Sequence, residues 1–560
     1  MKVVFLGIGL ALCGCAPDPV QPLLEPLTDL GGITFQHVAG GAGNRELPET
    51  MGGGVALLDF GGDGDLDVYA VQSGPMRTPA ADESRAGAEN ELWRNQGTSS
   101  VQFERVPEAG GAADTGYGQG VAVGDADGDG SDDLFVLNWG PNAIYLQLEG
   151  GFERAEQPSL EADTWSVSGA FFDADLDGDL DLIEVNYLRC PPGSYRTLGL
   201  HAAAPGPFDS YPHPDLFRAA PDRLLLNDGR GQYRDATAGS GLDGEPGKGL
   251  GVAPTDADLD GVTDLYVTND STPNHFYRGL GSGRFERAHP AAGLSFNDDG
   301  LTEAGMGVDA ADVDGDLDFD LFCTNLDLET NTLYLNLSEG GEDAVRFRDR
   351  TRRSGLAEPS RPLVGFGCVF ADFDFDGDAD LFVANGHIID NVASFSDARL
   401  FAQPDQLFLS DGAGHFALAG PAQAKGLERP TVARGVALGD LNGDRAPDLV
   451  IGACGVGESS GRPLAIYLGR PDPAAVRVRL LGPKGNPRGL GATITIELAS
   501  GAKQLLRLES ARAYASASEA AVVTGLSEPM IALEVRLPGG EPRRFEGEAI
   551  AGPELLLDLR

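Results

Sequence analysis

The sequence predicts an all-β fold: a seven-bladed β-propeller over residues 32–469, with a small β-sandwich over 476–560 packed beside it. Three observations carry that expectation. An aspartate-rich nonapeptide recurs seven times, with first aspartates at 59, 125, 173, 256, 312, 372 and 440. The mean step is about 64 residues, and a fixed period marks a repeat architecture. Each copy sits among short apolar runs of β type, glycine supplies 79 of 560 residues for tight turns, and long helical periodicity is absent.

In chain order, MKVVFLGIGLALCGC comes first, with Lys2, an apolar run over 3–12 and small residues before Cys15. That is the pattern of an export signal. Leu12-Cys13-Gly14-Cys15 resembles the lipobox of bacterial lipoproteins, which implies removal of a leader over 1–14 and acylation of Cys15. An ordinary secretory peptide is the alternative. The expected product is an outer-membrane or cell-surface lipoprotein, tethered by the Pro-rich stretch 15–31 and touching the membrane through its lipid anchor only. No later run reaches the ~20 apolar residues that a membrane-spanning helix needs.

Each unit has the same internal order. A run of small and apolar residues (GQGVAVGD, ARGVALGD) leads into the acidic loop, and a β-type run (DLFVLN, DLFVAN) leaves it. A second apolar strand follows (AIYLQL, TLYLNL), then a turn and an aromatic strand (GGFERA, GRFERA). Four short strands in up-down order, repeated seven times, are propeller blades. ITFQHV at 33–38 looks like an aromatic fourth strand with no unit before it, and the last unit ends at LAIYLG without one. The N-terminal strand is therefore expected to complete the seventh blade and remove the open sheet edge.

A formal charge of −45 argues against nucleic acid and against electrostatic docking on anionic lipid, and makes divalent cations the natural counter-charge. Carboxylates this close repel one another unless a cation sits among them. Positions 1, 3, 5 and 9 of the nonapeptide carry side-chain oxygens, position 7 can offer a carbonyl, and glycine at position 6 permits the sharp turn, the logic of an EF-hand loop. The expected ligands are Asp59, Asp63, Asp65 and Asp67 in the first loop, and Asp125, Asp127, Asp129, Asp133 and the Ser131 carbonyl in the second. Asp173, Asp175, Asp177, Asp179 and Asp181 form the third set, and Asp256, Asp258, Asp260, Asp264 and the Val262 carbonyl the fourth. Asp312, Asp314, Asp316, Asp318 and Asp320 form the fifth, Asp372, Asp374, Asp376, Asp378 and Asp380 the sixth, and Asp440, Asn442, Asp444 and Asp448 the seventh. An all-oxygen donor set favours Ca2+ over Mg2+. Gly61, Leu317 and Arg445 interrupt the first, fifth and seventh loops, so the second, third, fourth and sixth are expected to bind best.

The repeats resemble the FG-GAP/VCBS repeats of integrin α-subunit propellers. The stretches DLYVTNDSTPNHFYR (264–278), AGMGVDAADVDGDLDFDLFCTN (304–325) and DLFVANGHI (380–388) resemble bacterial relatives of cartilage acidic protein more closely. GNPRGLGATITI at 485–496 resembles the ASPIC/UnbV signature, with Asn486, Gly489, Gly491 and Ala492 in place. Relatives often hold a second cysteine in the insert after Tyr187, where this chain has only Cys190. Cys190, Cys323, Cys368 and Cys454 remain after the leader, and the last three lie in apolar runs as buried thiols would.

The loop after each second strand lies on the face opposite the acidic loops. There the sequence places Asn138, Trp139, Asn142, Asn186, Tyr187, Asn269, Asp270, Asn274, Asn325, Asn331, Asn385 and His387, and two long inserts at 187–221 (with His201 and His213) and 386–405. Amide and aromatic side chains suit a sugar or a polar peptide, and long loops on a rigid scaffold are where binding concentrates. Satisfying loop backbone is the other task such Asn residues perform. No residue is assigned a catalytic role: GESSG at 457–461 matches G-x-S-x-G at Ser459, but a strand follows where the elbow needs a helix. The expected activity is binding of a glycan or protein at the cell surface, with a polysaccharide-active hydrolase or a purely structural envelope protein as rivals.

Overall fold

The computed structural model describes residues 21–41, 45–74, 89–97, 100–190, 210–338, 345–455 and 462–560. The leader, Cys15, His201 and Ser459 lie outside the described residues. Regular structure is almost all strand, and the α-helices among the described residues are single turns, Thr351–Ser354 and Ala357–Ser360.

Seven four-stranded antiparallel units follow one another, each with its acidic loop between first and second strands. Unit two is typical: Gly118–Gly124, Asp133–Gly140, Ala143–Leu148 and Gly151–Arg154 pair in that order. All seven residues of its first strand are buried, because the first strands of neighbouring units flank it. Small residues are required there; a Cβ on Gly120 would meet the Val167 carbonyl of unit three. First strands neighbour one another in order around the molecule, and that of unit seven, Ala433–Gly439, returns to that of unit one, Val55–Leu58. Units two and three are also joined edge to edge through Trp139 and Trp165.

The N-terminal closing strand is found, but earlier than the sequence suggests. Leu24–Pro26 pairs with Ala465–Gly469 of unit seven, inside the stretch expected to be a tether, and Leu23 and Leu24 are buried. From ITFQHV only Gln36–His37 pairs, with Arg462–Pro463. Two leucines provide the apolar contact, and the flanking prolines had masked the strand.

The C-terminal region forms two sheets. Val522–Gly525, Ala475–Leu481 and Glu554–Asp558 make one; Lys503–Leu508, Ala492–Leu498, Met530–Arg536 and Arg543–Glu546 make the other. Alternate residues of Ala492–Leu498 are buried, as a two-layer sandwich demands. The domain does not sit beside the wheel of units. It covers the acidic-loop face and sends residues 509–519, ESARAYASASE, into the centre. Ala56 pairs with Ala517, Val308 bridges Ala513, and the Val121 N–H donates to the Ala515 carbonyl (3.1 Å). The Ala515 N–H donates to Ser168 Oγ (3.1 Å), the Glu519 N–H to the Leu438 carbonyl (2.9 Å), and Tyr514 stacks edge-on against Phe366. Residues of units one, two, three, five, six and seven thus touch one short segment of small side chains.

Candidate functional site

All seven acidic loops share one shape. Positions 4 and 6 both have positive φ, with Gly128 and Gly130 in the second loop, Leu176 and Gly178 in the third, and Phe375 and Gly377 in the sixth. Leu317 takes φ +69 at position 6 of the fifth loop and Arg445 φ +69 in the seventh, so both keep the turn that the missing glycine put in question. The first aspartate accepts the backbone N–H groups that this turn exposes. Asp125, for example, accepts Gly128, Asp129 and Gly130 at 2.7, 3.1 and 2.7 Å. The ninth aspartate clamps loop to sheet: Asp133 accepts the Ala126 N–H and the Gln147 N–H at 2.7 Å each, and Asp67, Asp181, Asp264, Asp320, Asp380 and Asp448 repeat the pair.

The donor set fits a divalent cation. Carboxylate oxygens of Asp125, Asp127 and Asp133 lie within 4.8 Å of one another, as do those of Asp173, Asp175 and Asp181, of Asp256, Asp258 and Asp260, of Asp312, Asp314 and Asp316, and of Asp372, Asp374 and Asp380. Asp175 Oδ1, Asp256 Oδ1, Asp314 Oδ1, Asp318 Oδ1, Asp372 Oδ1 and Asp374 Oδ1 are buried with no protein donor. Burial first, and then the charge of neighbouring aspartates, pushes Asp125 up to about 6, Asp173 and Asp372 to about 7, and Asp181 and Asp380 to about 8. A cation among these oxygens supplies the charge that the protein does not. At position 7, the Ser131 and Val262 N–H groups donate to Asp129 and Asp260 at 2.8 Å.

Arginines reach the expected ligand aspartates of some loops. Arg278 forks onto Asp258 (2.6 Å) and Asp260 (3.1 Å) in the fourth loop, Arg94 meets Asp63 (2.6 Å) in the first, and Arg477 meets Asp440 (3.2 Å) in the seventh. Among the described residues no arginine touches the expected ligand aspartates of the second, third, fifth and sixth loops; Arg488 meets the second only at Asp132, which is not one of them. Leu317 keeps the turn of the fifth loop, and Arg278 reaches the fourth from the third strand His275–Gly279, beside the group of Asp256, Asp258 and Asp260.

Several residues that organise this face were not anticipated. Asp309 occupies the position three before the loop, where the other six units carry Ala or Val. It is fully buried and binds Arg507 (2.8 Å) and Arg512 (2.7 Å) from the C-terminal domain, so an acid in an otherwise apolar column was the available signal. Asp132 accepts the Asp59 N–H (3.0 Å) and Arg488 Nε (3.0 Å), tying units one and two to that domain. Asn95, Asn227 and Asn336 each donate Nδ2 to the position-2 carbonyl of the preceding loop, at Leu441, Ala126 and Ala257, which links units in a belt.

On the opposite face the expected ligand-facing residues are closed inside the fold. Asn138, Trp139, Asn142, Asn186, Tyr187, Asn269, Asp270, Asn274, Asn325, Asn331, Asn385 and His387 are all buried. They perform one repeated structural task. Asn269 Nδ2 donates to the Pro273 carbonyl (2.9 Å) while its N–H donates to Asn274 Oδ1 (2.8 Å), and Asn325 with Asn331 and Asn138 with Asn142 repeat the N–H contact. Asp222 and Asp405 replace the second Asn for Asn186 and Asn385. Trp139 donates to the Cys190 carbonyl, Tyr187 to Asp270, and His387 Nδ1 accepts the Ile389 N–H (2.9 Å). What this face does expose is a groove of about 360 Å³ lined by Asp327, Leu328, Pro362, Phe395, Ser396, Ala398 and Arg399, with Arg399 on Asp327 at 2.7 Å. Cys323, Cys368 and Cys454 are buried thiols, and Cys190 is buried as well.

Models of the FG-GAP-like repeat match residues 59–136, 125–183, 256–323 and 312–383, and the ASPIC and UnbV model matches 482–551. The chain is 26% identical to human (Homo sapiens) cartilage acidic protein 1 over 442 residues, covering 75% of this chain and 58% of that protein. With the Xenopus tropicalis protein of the same name it shares 24% identity over 344 residues, covering 60% and 48%. The chain therefore spans about half the length of the curated relatives it matches. Among solved structures, an Agrocybe aegerita lectin described by its recognition of non-reducing terminal N-acetylglucosamine aligns with TM-score 0.38 and 13% identity over 71% of this chain and 91% of that one. YCF48 bound to D1 peptide aligns with TM-score 0.38 and 7% identity over 78% and 98%.

Proposed function

From a chain of FG-GAP-like repeats closed by an ASPIC and UnbV domain, we propose an exported, lipid-anchored, calcium-loaded seven-bladed propeller that binds a glycan or protein at the cell surface. Ca2+ is held by the open loops, the second, third, fifth and sixth, while arginine supplies the charge in the first, fourth and seventh. The bound ions neutralise buried carboxylates and fix the turns on which neighbouring sheets rest. Partner binding falls to the opposite face, because the C-terminal domain covers the acidic one. The observation that carries this reading is the groove at Asp327, Phe395 and Arg399: a carboxylate and a guanidinium beside exposed apolar surface suit a polar ligand with one apolar side.

Glycan-array and pull-down measurements with the purified chain test the proposal. Binding is expected in calcium and lost in the double variant Phe395→Ala/Arg399→Ala, whose folding is checked by an unchanged melting temperature. Retained binding in that variant overturns the groove assignment. Fractionation of a Cys15→Ala variant tests the anchor: release from the membrane is expected, and retention contradicts it.

A further inference from the structure

The channel segment 509–519 stands on the sixth acidic loop at both ends. On one side Gln504 Nε2 donates to the Gly377 carbonyl (3.1 Å); on the other the Gly525 N–H (2.7 Å) and the Thr524 hydroxyl (3.2 Å) donate to Asp372 Oδ2. The same carboxylate keeps Oδ1 buried and without a protein donor, grouped with Asp374 and Asp380. Asp372 is 5% exposed, so both oxygens work inside the protein. Backbone packs on backbone at this point, because a Cβ on Gly525 would collide with the Phe375 carbonyl. Beside it lies a cavity of about 140 Å³ bounded by Phe370, Leu505, Val522 and Val523, and the apolar contact of the loop with the C-terminal domain is a small cluster of Phe375 with Ala475 and Val523. The fifth loop differs: among the described residues its aspartates accept hydrogen bonds only from their own unit.

We propose that the cation of the sixth loop seats the C-terminal domain, so that divalent loading holds residues 509–519 in the central channel. The inference rests on the reading of the open loops as cation sites. One oxygen of Asp372 faces the cation and the other faces Thr524 and Gly525, so whatever fixes the carboxylate for one partner fixes it for the other. Without the cation, repulsion among Asp372, Asp374 and Asp376 displaces the Asp372 acceptor from the foot at Thr524 and Gly525 and loosens the loop whose Gly377 carbonyl holds the other foot. Coupling of this kind is reciprocal: seating must raise cation affinity by the factor that the cation favours seating.

Hydrogen exchange of the full chain, with calcium or with chelator, tests the coupling. Calcium is expected to slow exchange at Ala513, Ser518, Glu519 and 522–525 roughly tenfold. D374N is expected to abolish that slowing, and D314N, in the fifth loop, to preserve it. G525A, which removes no cation-ligand side chain, is expected to weaken one calcium site several-fold in a calorimetric titration and leave the others unchanged. Calcium binding with unaltered exchange at 509–525, or equal behaviour of the two loop variants, overturns the proposal alone. Failure to bind calcium at all overturns the reading of the loops and this inference with it.

Discussion

The fourth and sixth loops carry the same aspartate motif at the same place in their units, and opposite devices hold them. In the fourth, Arg278 grips Asp258 and Asp260 from within the unit, while Arg536 of the C-terminal domain holds the Leu259 carbonyl at 3.0 Å. In the sixth no arginine enters among the described residues; neutral donors from Gln504, Thr524 and Gly525 meet it, and two buried oxygens lack a protein partner there. The motif fixes a turn. The charge that meets the aspartates of the first, fourth and seventh loops comes from arginines 18 to 37 positions away, which the nonapeptide alone does not show.

Removing calcium gives the largest expected effect. A saturated site adds about 2.7 kcal/mol at a hundredfold excess of ligand over Kd, so four open loops contribute on the order of 10 kcal/mol, read as a large drop in thermal or denaturant midpoint on chelation. An unchanged midpoint means that the turns need no ion. Next in size is Asp309→Ala, which strands Arg507 and Arg512 as buried unpaired cations and is expected to cost about 3–5 kcal/mol in denaturant unfolding, with or without calcium.

The pH dependence of stability tests the role of the ion in the open loops. In the chelated protein burial raises Asp173 and Asp372 to about 7 and Asp181 and Asp380 to about 8, above their unfolded values. The folded state then binds more protons than the unfolded one, so chelated stability is highest near pH 4 and falls as pH rises towards 8. Calcium is expected to remove that fall, since it replaces the protons; unfolding curves at pH 5 and pH 8 check it. Smallest is Asn269→Ala on the far face, which removes the donor to the Pro273 carbonyl and is expected to cost roughly 1 kcal/mol while leaving partner binding intact. Loss of binding there would return the buried asparagines to the ligand face.

The sequence revealed what is local. Aspartate spacing is set by a single turn, and strand patterns by burial on two faces, so the units and their loops could be read from one repeat at a time. The closing strand Leu24–Pro26 escaped because three residues between prolines carry too little periodicity. The channel segment escaped because ARAYASAS has no apolar period; its small side chains make sense only against first strands hundreds of residues away. An asparagine repeated at each strand end fits a ligand-facing surface and a buried joint equally well in sequence, and only the contacts of its neighbours' N–H groups distinguish the two.

The central claim, that arginine and divalent cation are alternative occupants of one loop design, is tested most directly by counting tightly bound calcium in the purified chain and in Arg278→Gln. Four ions per chain are expected in the first and five in the second, the fifth entering the fourth loop as its arginine leaves. Seven ions in the unaltered chain, or a count that the substitution does not change, would contradict it.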